Sequence, residues 1–151
     1  MRVLGVDFGL RRLGIALSDE DRTLARPLRV LEIASVRQAP QAVADVVVES
    51  EAETVVVGVP LGLEGEERRI EVRRVERFAS ALRKLSGRTV FLVDESLSSR
   101  EAEEKAKEAG RDERDPALHA HAAALILQRW LDRPRKSDPR AKGPAPTGGG
   151  E

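Results

Sequence analysis

The first nineteen residues, MRVLGVDFGLRRLGIALSD, constrain the fold most strongly, because a glycine-containing connection joins two short apolar runs. This pattern predicts a β-hairpin. The first predicted strand ends in Asp7, and a carboxylate at the end of a buried strand loses solvation, so it needs a cation or hydrogen-bond donors beside it. Asp7 is therefore the first candidate metal ligand, although a turn-capping role is the better explanation of such an acid taken alone.

The composition excludes several classes of protein. The chain has 151 residues, enough for one domain with a sizeable core. Lys plus Arg and Asp plus Glu both number 26, so a surface for nucleic acid must be a local patch. The absence of cysteine excludes thiol catalysis and cysteine-based zinc sites. No signal peptide or membrane-length apolar run is found, which predicts a cytoplasmic protein without a membrane partner.

The chain beyond the hairpin alternates between predicted strands and helices. Pro27 in the third apolar run favours an edge strand or a strand that starts late, and Pro40 favours a helix that begins near it. The later predicted elements are a buried parallel strand over 54–60, a helix over 66–85, a strand over 89–93, a helix over 98–109 and a buried helix over 117–130. The apolar face of the 66–85 helix holds Val75, Phe78, Leu82 and Leu85. This order predicts an α/β fold, in which a mixed five-stranded sheet (a three-strand meander plus parallel strands) carries helices on both faces. The predicted domain spans residues 1–132, and a basic Pro/Gly-rich tail, predicted to be disordered, spans 133–151.

Three segments that follow apolar strands are predicted to meet at one edge of the sheet. These are Asp7, the loop at 60–62 and Glu95. Two carboxylates at neighbouring strand ends repel each other unless a cation lies between them. With a third ligand from the last helix, they would suit one or two divalent ions able to activate a water for phosphodiester hydrolysis. Because Asp-Glu pairs are common on protein surfaces, the spacing alone favours surface acids over a metal site.

Five segments resemble the YqgF/RuvX family in order and spacing: GVDFGLRRLGIALSD, TLARPL, VVGVPLGLEG, VDESLSSREAE and AAALILQRWL. The resemblance extends from residue 1 to about residue 132. It implies an RNase H-like fold and a nuclease that depends on a divalent metal, Mg or Mn. The role attributed to the family is maturation of the 5′ end of pre-16S rRNA, and its older label is Holliday-junction resolvase.

The resemblance assigns site residues one by one. The family's first-strand acid falls on Asp7, the Glu of its D-E-R-L motif on Glu95, and the basic residue of its first turn on Arg12, as a phosphate contact. Its final acid falls on His119, where this chain departs from the family. Three interpretations stay open: His119 is the third metal ligand, Asp115 replaces it from one turn earlier, or catalysis is impaired.

A second departure concerns phosphate binding, because Ser96 stands where the family carries Arg. The basic face of the 66–85 helix, with Arg68, Arg69 and Arg73, is predicted to bind nucleic acid instead; a solvated face paired with glutamates is the alternative. The leading hypothesis is a hydrolase acting on structured RNA (pre-16S rRNA) in ribosome biogenesis. Branched DNA cut by a junction resolvase and a catalytically weak RNA-binding assembly factor are the rivals, and either a monomer or a homodimer is compatible with the sequence.

Overall fold

A computed structural model of the chain describes residues 1–59, 64–94, 115 and 117–133, with Asp94 described by its backbone alone. The described elements, in chain order, are β1 (Arg2–Asp7), β2 (Arg12–Ser18), β3 (Ala25–Glu32), a short 3₁₀ turn (Val36–Gln38), α1 (Ala39–Ser50), β4 (Ala52–Val59), α2 (Gly65–Ser86), β5 (Thr89–Asp94) and α3 (Ala117–Asp132). The predicted helix over 98–109, the loop at 60–62 and the tail beyond residue 133 lie outside the described residues.

The five described strands form one mixed sheet in the order β3-β2-β1-β4-β5. The first three strands are an antiparallel meander, while β1, β4 and β5 run parallel to one another. This confirms the predicted architecture, including the edge position of the strand that contains Pro27. Because β1, β4 and β5 are parallel, their carboxyl ends lie at the same edge of the sheet, which we call the carboxyl edge.

The two faces of the sheet are covered by different helices. Along β1, Leu4 and Val6 belong to the core cluster that includes residues of α1 and α2, whereas Val3 packs with residues of α3. Side chains alternate between the faces of a strand, so Gly5 and Asp7 share the α3 face with Val3. The sequence pattern of β1 therefore directs its terminal acid toward α3.

The helix ends follow from local sequence. Pro40 lies in the first turn of α1, where its missing N–H costs no helical hydrogen bond. The α2 helix ends at Gly87, whose φ of 69° is the left-handed conformation that glycine adopts without strain. On α2, Val75, Phe78 and Leu82 are buried as predicted, but Leu85 is 53% exposed, so its assignment to the core was wrong. No helix in the described part of the chain is long and apolar enough to cross a membrane.

Candidate active site

Asp7 ends β1 at the carboxyl edge and is largely withdrawn from solvent, with 13% of its side chain exposed. In the antiparallel pairing of β1 with β2, Asp7 lies opposite Gly14. A glycine leaves the α3 face of the sheet open at that point. The carboxylate of Asp7 therefore lies beside a gap into which a neighbouring element can fit.

The first turn of α3 fills this gap. A Cβ atom built on Gly14 would lie 1.9 Å from the carbonyl oxygen of His119 and 2.2 Å from its carbonyl carbon. Only glycine allows a helix backbone to approach a strand this closely. Gly5, two residues before Asp7 on the same face, similarly accommodates α3, since its Cβ would lie 2.8 Å from that of Leu127. These two glycines thus allow α3 to pack closely against the sheet.

This close packing brings His119 to Asp7. The Nδ1 atom of His119 lies 3.5 Å from Oδ2 of Asp7, and 40% of the histidine side chain is exposed. The distance exceeds the 2.7–3.2 Å range of an N–H···O hydrogen bond, so the two groups face each other without a direct one. Within the described residues, His119 is the partner found for the Asp7 carboxylate.

The structure gives Asp115 a capping role. Its Oδ1 accepts a hydrogen bond from the backbone N–H of Ala117 at 2.9 Å, and its carbonyl accepts one from Leu118. These bonds satisfy N–H groups of the first turn of α3 that have no helical partner. The half-buried His121 follows His119 by two residues, about 200° around a helix, and so points away from the Asp7 side. Of these three residues, only His119 is shown beside Asp7.

Glu95 and Ser96 lie outside the described residues. The strand before them, β5, ends at Asp94, which pairs with Val59 of β4. In the sheet, β4 lies between β1 and β5. The carboxyl ends of β1 and β5 are therefore about 10 Å apart at the usual strand spacing. The described residues hold no cluster of three or more histidine and acidic side chains suited to a metal ion.

The turn between β1 and β2 carries the exposed Arg12. Leu13 packs with the α1 and α2 core, so alternation places Arg12 on the α3 face together with Gly14 and Asp7. As a diagonal neighbour of Asp7 across the strand pair, its backbone lies roughly 7–8 Å away. The structure thus places the predicted phosphate contact on the same face as the predicted acid.

The arginines of α2 are divided between two sides of the helix. Arg69 and Arg73 lie on an outer stripe, opposite the core-facing residues Val75 and Ala79. Arg68 lies on the core-facing side and is half-buried. On the outer stripe, Arg69 pairs with Glu66 at 3.3 Å, and both side chains are about three-quarters exposed. The predicted basic face therefore has a solvated side, and its three named arginines do not share one surface.

Comparison with known proteins identifies the family. A family model described as "RuvX: Holliday junction resolvase" matches residues 1–133. The chain belongs to the RuvX family. A RuvX relative from Maridesulfovibrio salexigens is 37% identical over 135 residues, which cover 88% of this chain and 99% of the relative. One from Oleidesulfovibrio alaskensis is 43% identical over 137 residues, covering 89% and 94%. Both relatives carry the name "Putative pre-16S rRNA nuclease".

Solved structures confirm the RNase H-like fold. The chain is similar to Thermus thermophilus RuvC in complex with Holliday junction substrate, with a TM-score of 0.59, 21% identity, and coverage of 87% of this chain and 94% of that one. It is also similar to the fowlpox virus Holliday junction resolvase, with a TM-score of 0.54, 11% identity, and coverage of 87% and 99%. At these identities the likeness concerns the fold alone.

Sequence reasoning missed two contacts that hold this site together. The seating of His119 on Gly14 had no signal beyond a glycine within a strand pattern. Gln128 of α3 also ties the helix to the sheet: its side-chain oxygen accepts from the N–H of Ala25 and its amide donates to the carbonyl of Thr23, both at 2.9 Å. These contacts fix α3, and with it His119, relative to the strands.

Proposed function

We propose that this RuvX protein is a metal-dependent endonuclease that hydrolyses phosphodiester bonds in structured RNA. The observation that carries the proposal is the pairing of Asp7 with His119 across 3.5 Å at the carboxyl edge of an RNase H-like sheet. A carboxylate withdrawn from water in this way needs a cation or hydrogen-bond donors beside it. An imidazole at that distance can share a cation with it.

The donor set fits a divalent metal ion. Two ligands bound to one ion at about 2.1 Å, with angles of 90–110°, are separated by about 3.0–3.4 Å, close to the distance between the two side chains. Asp7 Oδ2 and His119 Nδ1 would be two of the ligands, and we propose Glu95 as a third. Imidazole suits Mn²⁺ better than Mg²⁺, which prefers a shell of oxygens. When bound, the metal supplies an activated water and stabilises the negative charge of the leaving oxygen.

The protein side chains position the substrate around this site. Arg12, exposed on the face that bears Asp7, would hold a phosphate oxygen of the strand being cut. Asp7 and His119 keep their separation because α3 is fixed on Gly14, so the site is organised before the substrate binds. Arg69 and Arg73, on the outer stripe of α2, would add a weaker contact to a more distant part of the nucleic-acid backbone. Arg68 could contribute only from the core-facing side of α2.

The proposed substrate is precursor 16S rRNA, cut during maturation of its 5′ end. Its support is the name shared by relatives at 37–43% identity over nearly their full length. We therefore place the activity in the cytoplasm and in ribosome biogenesis. The description of the matching family favours a second candidate, the resolution of four-way DNA junctions, which requires a homodimer to cut two strands.

A cleavage assay tests the proposal. The protein is incubated with a precursor 16S 5′-leader RNA or a four-way DNA junction, with Mg²⁺ or Mn²⁺, beside Asp7→Asn. We expect RNA cleavage that Asp7→Asn abolishes. Asp21→Asn, which changes an exposed acid in the β2–β3 turn, is the matched control and should cut like the wild type.

The other outcomes separate the alternatives. Symmetric cleavage of the junction without cleavage of the RNA would assign the chain to resolvases. Binding without cleavage under either metal would make it an assembly factor and refute the nuclease. Titration calorimetry with Mn²⁺ and no nucleic acid adds an independent readout, since His119→Ala should weaken the binding of Mn²⁺ by tenfold or more.

A further inference from the structure

The phenylalanine and tryptophan rings of the chain are packed against one another in two pairs. The sequence holds three Phe, one Trp and no Tyr. Phe8 packs on Phe78 with ring centroids 5.0 Å apart, and Phe91 packs on Trp130 at 5.5 Å. Proteins that open or splay nucleic acid commonly place an aromatic or aliphatic side chain against a base. In this chain, where those four rings are packed together, an exposed aliphatic side chain is the candidate for that contact.

Leu10 is the exposed aliphatic side chain closest in the chain to Asp7. It lies three residues after Asp7, in the turn between β1 and β2, and is 46% exposed. The side chains of Arg11 and Arg12, which follow it, are exposed and take part in none of the ion pairs between described residues. An apolar side chain next to two exposed guanidinium groups complements a nucleic-acid strand, whose bases are apolar on their faces and whose phosphates are anionic.

The turn that carries Leu10 is held firmly on both sides. Phe8 anchors its start through the contact with Phe78, and the carbonyl of Arg11 accepts a hydrogen bond from the N–H of Ile33 at 2.9 Å. Gly9 makes the turn tight, since a Cβ atom there would lie 2.5 Å from the carbonyl oxygen of Arg12. The turn therefore presents an exposed leucine at a defined position, three residues from Asp7 in the chain.

We propose that Leu10 is a wedge that inserts at a stacked base step of the bound strand, while Arg11 and Arg12 hold the flanking phosphates. The inference rests on the proposed function, because it takes the strand bound at Asp7 as the ligand. The wedge explains how a protein whose phenylalanine and tryptophan rings are packed against one another recognises a stem end or a branch point, where a base step opens most easily. Leu10 thus determines where the backbone is presented to Asp7 and is not itself a catalytic residue.

The test measures base opening without cleavage. 2-Aminopurine, which brightens when it unstacks, replaces single bases around the stem end of the 5′-leader RNA and, in a second arm, around the centre of a four-way DNA junction. Binding is followed in EDTA, so no metal chemistry enters. We expect wild type to raise the fluorescence at one position and Leu10→Ser to lower that rise at least threefold. Leu10→Phe should restore it.

Two sets of variants distinguish the base contact of Leu10 from the phosphate contacts of Arg11 and Arg12. Leu24→Ser is the matched control, since Leu24 is 59% exposed in the turn between β2 and β3, at the opposite edge of the sheet; it should leave the fluorescence rise unchanged. Arg11→Ala with Arg12→Ala should weaken binding about tenfold and flatten the dependence of log K on log salt by about 1.4–1.8. The arm that shows the fluorescence rise identifies the nucleic acid that the wedge opens.

Several results would overturn the wedge. It is refuted if Leu10→Ser gives the same fluorescence rise as wild type. It is also refuted if Leu24→Ser lowers the rise as much as Leu10→Ser does. It is also refuted if wild type binds either nucleic acid with no fluorescence change at any labelled position, a result that leaves the nuclease proposal intact. If wild type binds neither RNA nor junction, the wedge and the proposed function fail together.

Discussion

Replacing Gly14 by alanine tests the contact that brings His119 to Asp7. The added Cβ would lie 1.9 Å from a backbone carbonyl oxygen of α3, whereas ordinary contact begins at 3.4 Å. The first turn of α3 must therefore retreat by up to 1.5 Å, because no flexible side chain is available to give way. The same movement would lengthen the 3.5 Å separation of Asp7 and His119 toward 5 Å, too far for one ion to bridge.

The magnitude follows from the size of the forced shift. Overpacking a core costs about 1–3 kcal/mol, and a clash with backbone at this distance belongs at the upper end, so we expect about 3 kcal/mol of lost unfolding free energy. For a chain of this size that lowers Tm by about 6–12 °C. The affinity for Mn²⁺ should fall by about 10–100-fold, as when the support of a metal ligand is removed.

Gly5→Ala is the matched control for this experiment. It introduces the same methyl group under the same helix, but its two nearest neighbours, the Cβ of Leu127 at 2.8 Å and the carbonyl oxygen of Ala123 at 2.9 Å, are farther away, so a shift of about 0.6 Å restores ordinary contact. We expect a smaller loss than for Gly14→Ala, about 1–2 kcal/mol, and nearly unchanged Mn²⁺ affinity, because the forced shift is less than half as large. The measurements are urea unfolding followed by circular dichroism, and calorimetric titration with Mn²⁺. The reasoning is wrong if Gly14→Ala stays within 0.5 kcal/mol of wild type, or if both variants weaken Mn²⁺ binding equally.

Three further predictions concern single side chains. His119→Asp should shift the ratio of cleavage with Mg²⁺ to cleavage with Mn²⁺ at least tenfold toward Mg²⁺, because an oxygen donor replaces the imidazole; an unchanged ratio would exclude His119 as a ligand. Hydrogen bonds from the hydroxyl and N–H of Thr23 lower the pKa of Asp19 from 3.8 to about 2, so the stability that this carboxylate adds is complete above pH 4 and disappears as the pH falls toward 2. Asp19→Asn should flatten the plot of Tm against pH in that window and leave the slope above pH 5 unchanged. Gln128→Leu removes two bonds to the backbone of β3 and its turn and should cost about 1–3 kcal/mol, with faster amide exchange at Ala25 as the local readout.

Apolar periodicity was sufficient to predict the described strands and helices. Pro27 indicated an edge strand, since proline has no N–H to donate to a neighbouring strand, although the strand does not start late as the same proline also allowed. Gly87 marked the end of α2. Leu85 was misassigned because helical spacing shows which residues share one face of the helix. It does not show how far along the helix the structure packed against that face extends. The last turn of α2 continues the apolar stripe, and yet Leu85 meets solvent.

The candidate site was harder to predict from the sequence than the strands and helices were. Asp7 could be proposed from its position at a strand end, but His119 came only from alignment with the family pattern. Their approach depends on Gly14, and a glycine in a strand pattern is equally typical of a bulge, a bend or a close contact. Which of these applies is decided by a helix more than a hundred residues later in the chain, so no local pattern could reveal it.

The geometry also explains how this chain can carry a histidine where its family resemblance places an acid. The Nδ1 atom of histidine and the Oδ atoms of aspartate are both two bonds beyond Cβ, and Nδ1 is the atom that faces Asp7. The exchange therefore keeps the reach of the side chain and needs no movement of α3, which Gly14 holds at a fixed height. What changes is the donor, because a neutral nitrogen replaces an anionic oxygen and the site loses one negative charge. A hard ion such as Mg²⁺ loses more from that change than Mn²⁺ does, so His119 should alter the choice of metal while leaving the architecture of the site in place.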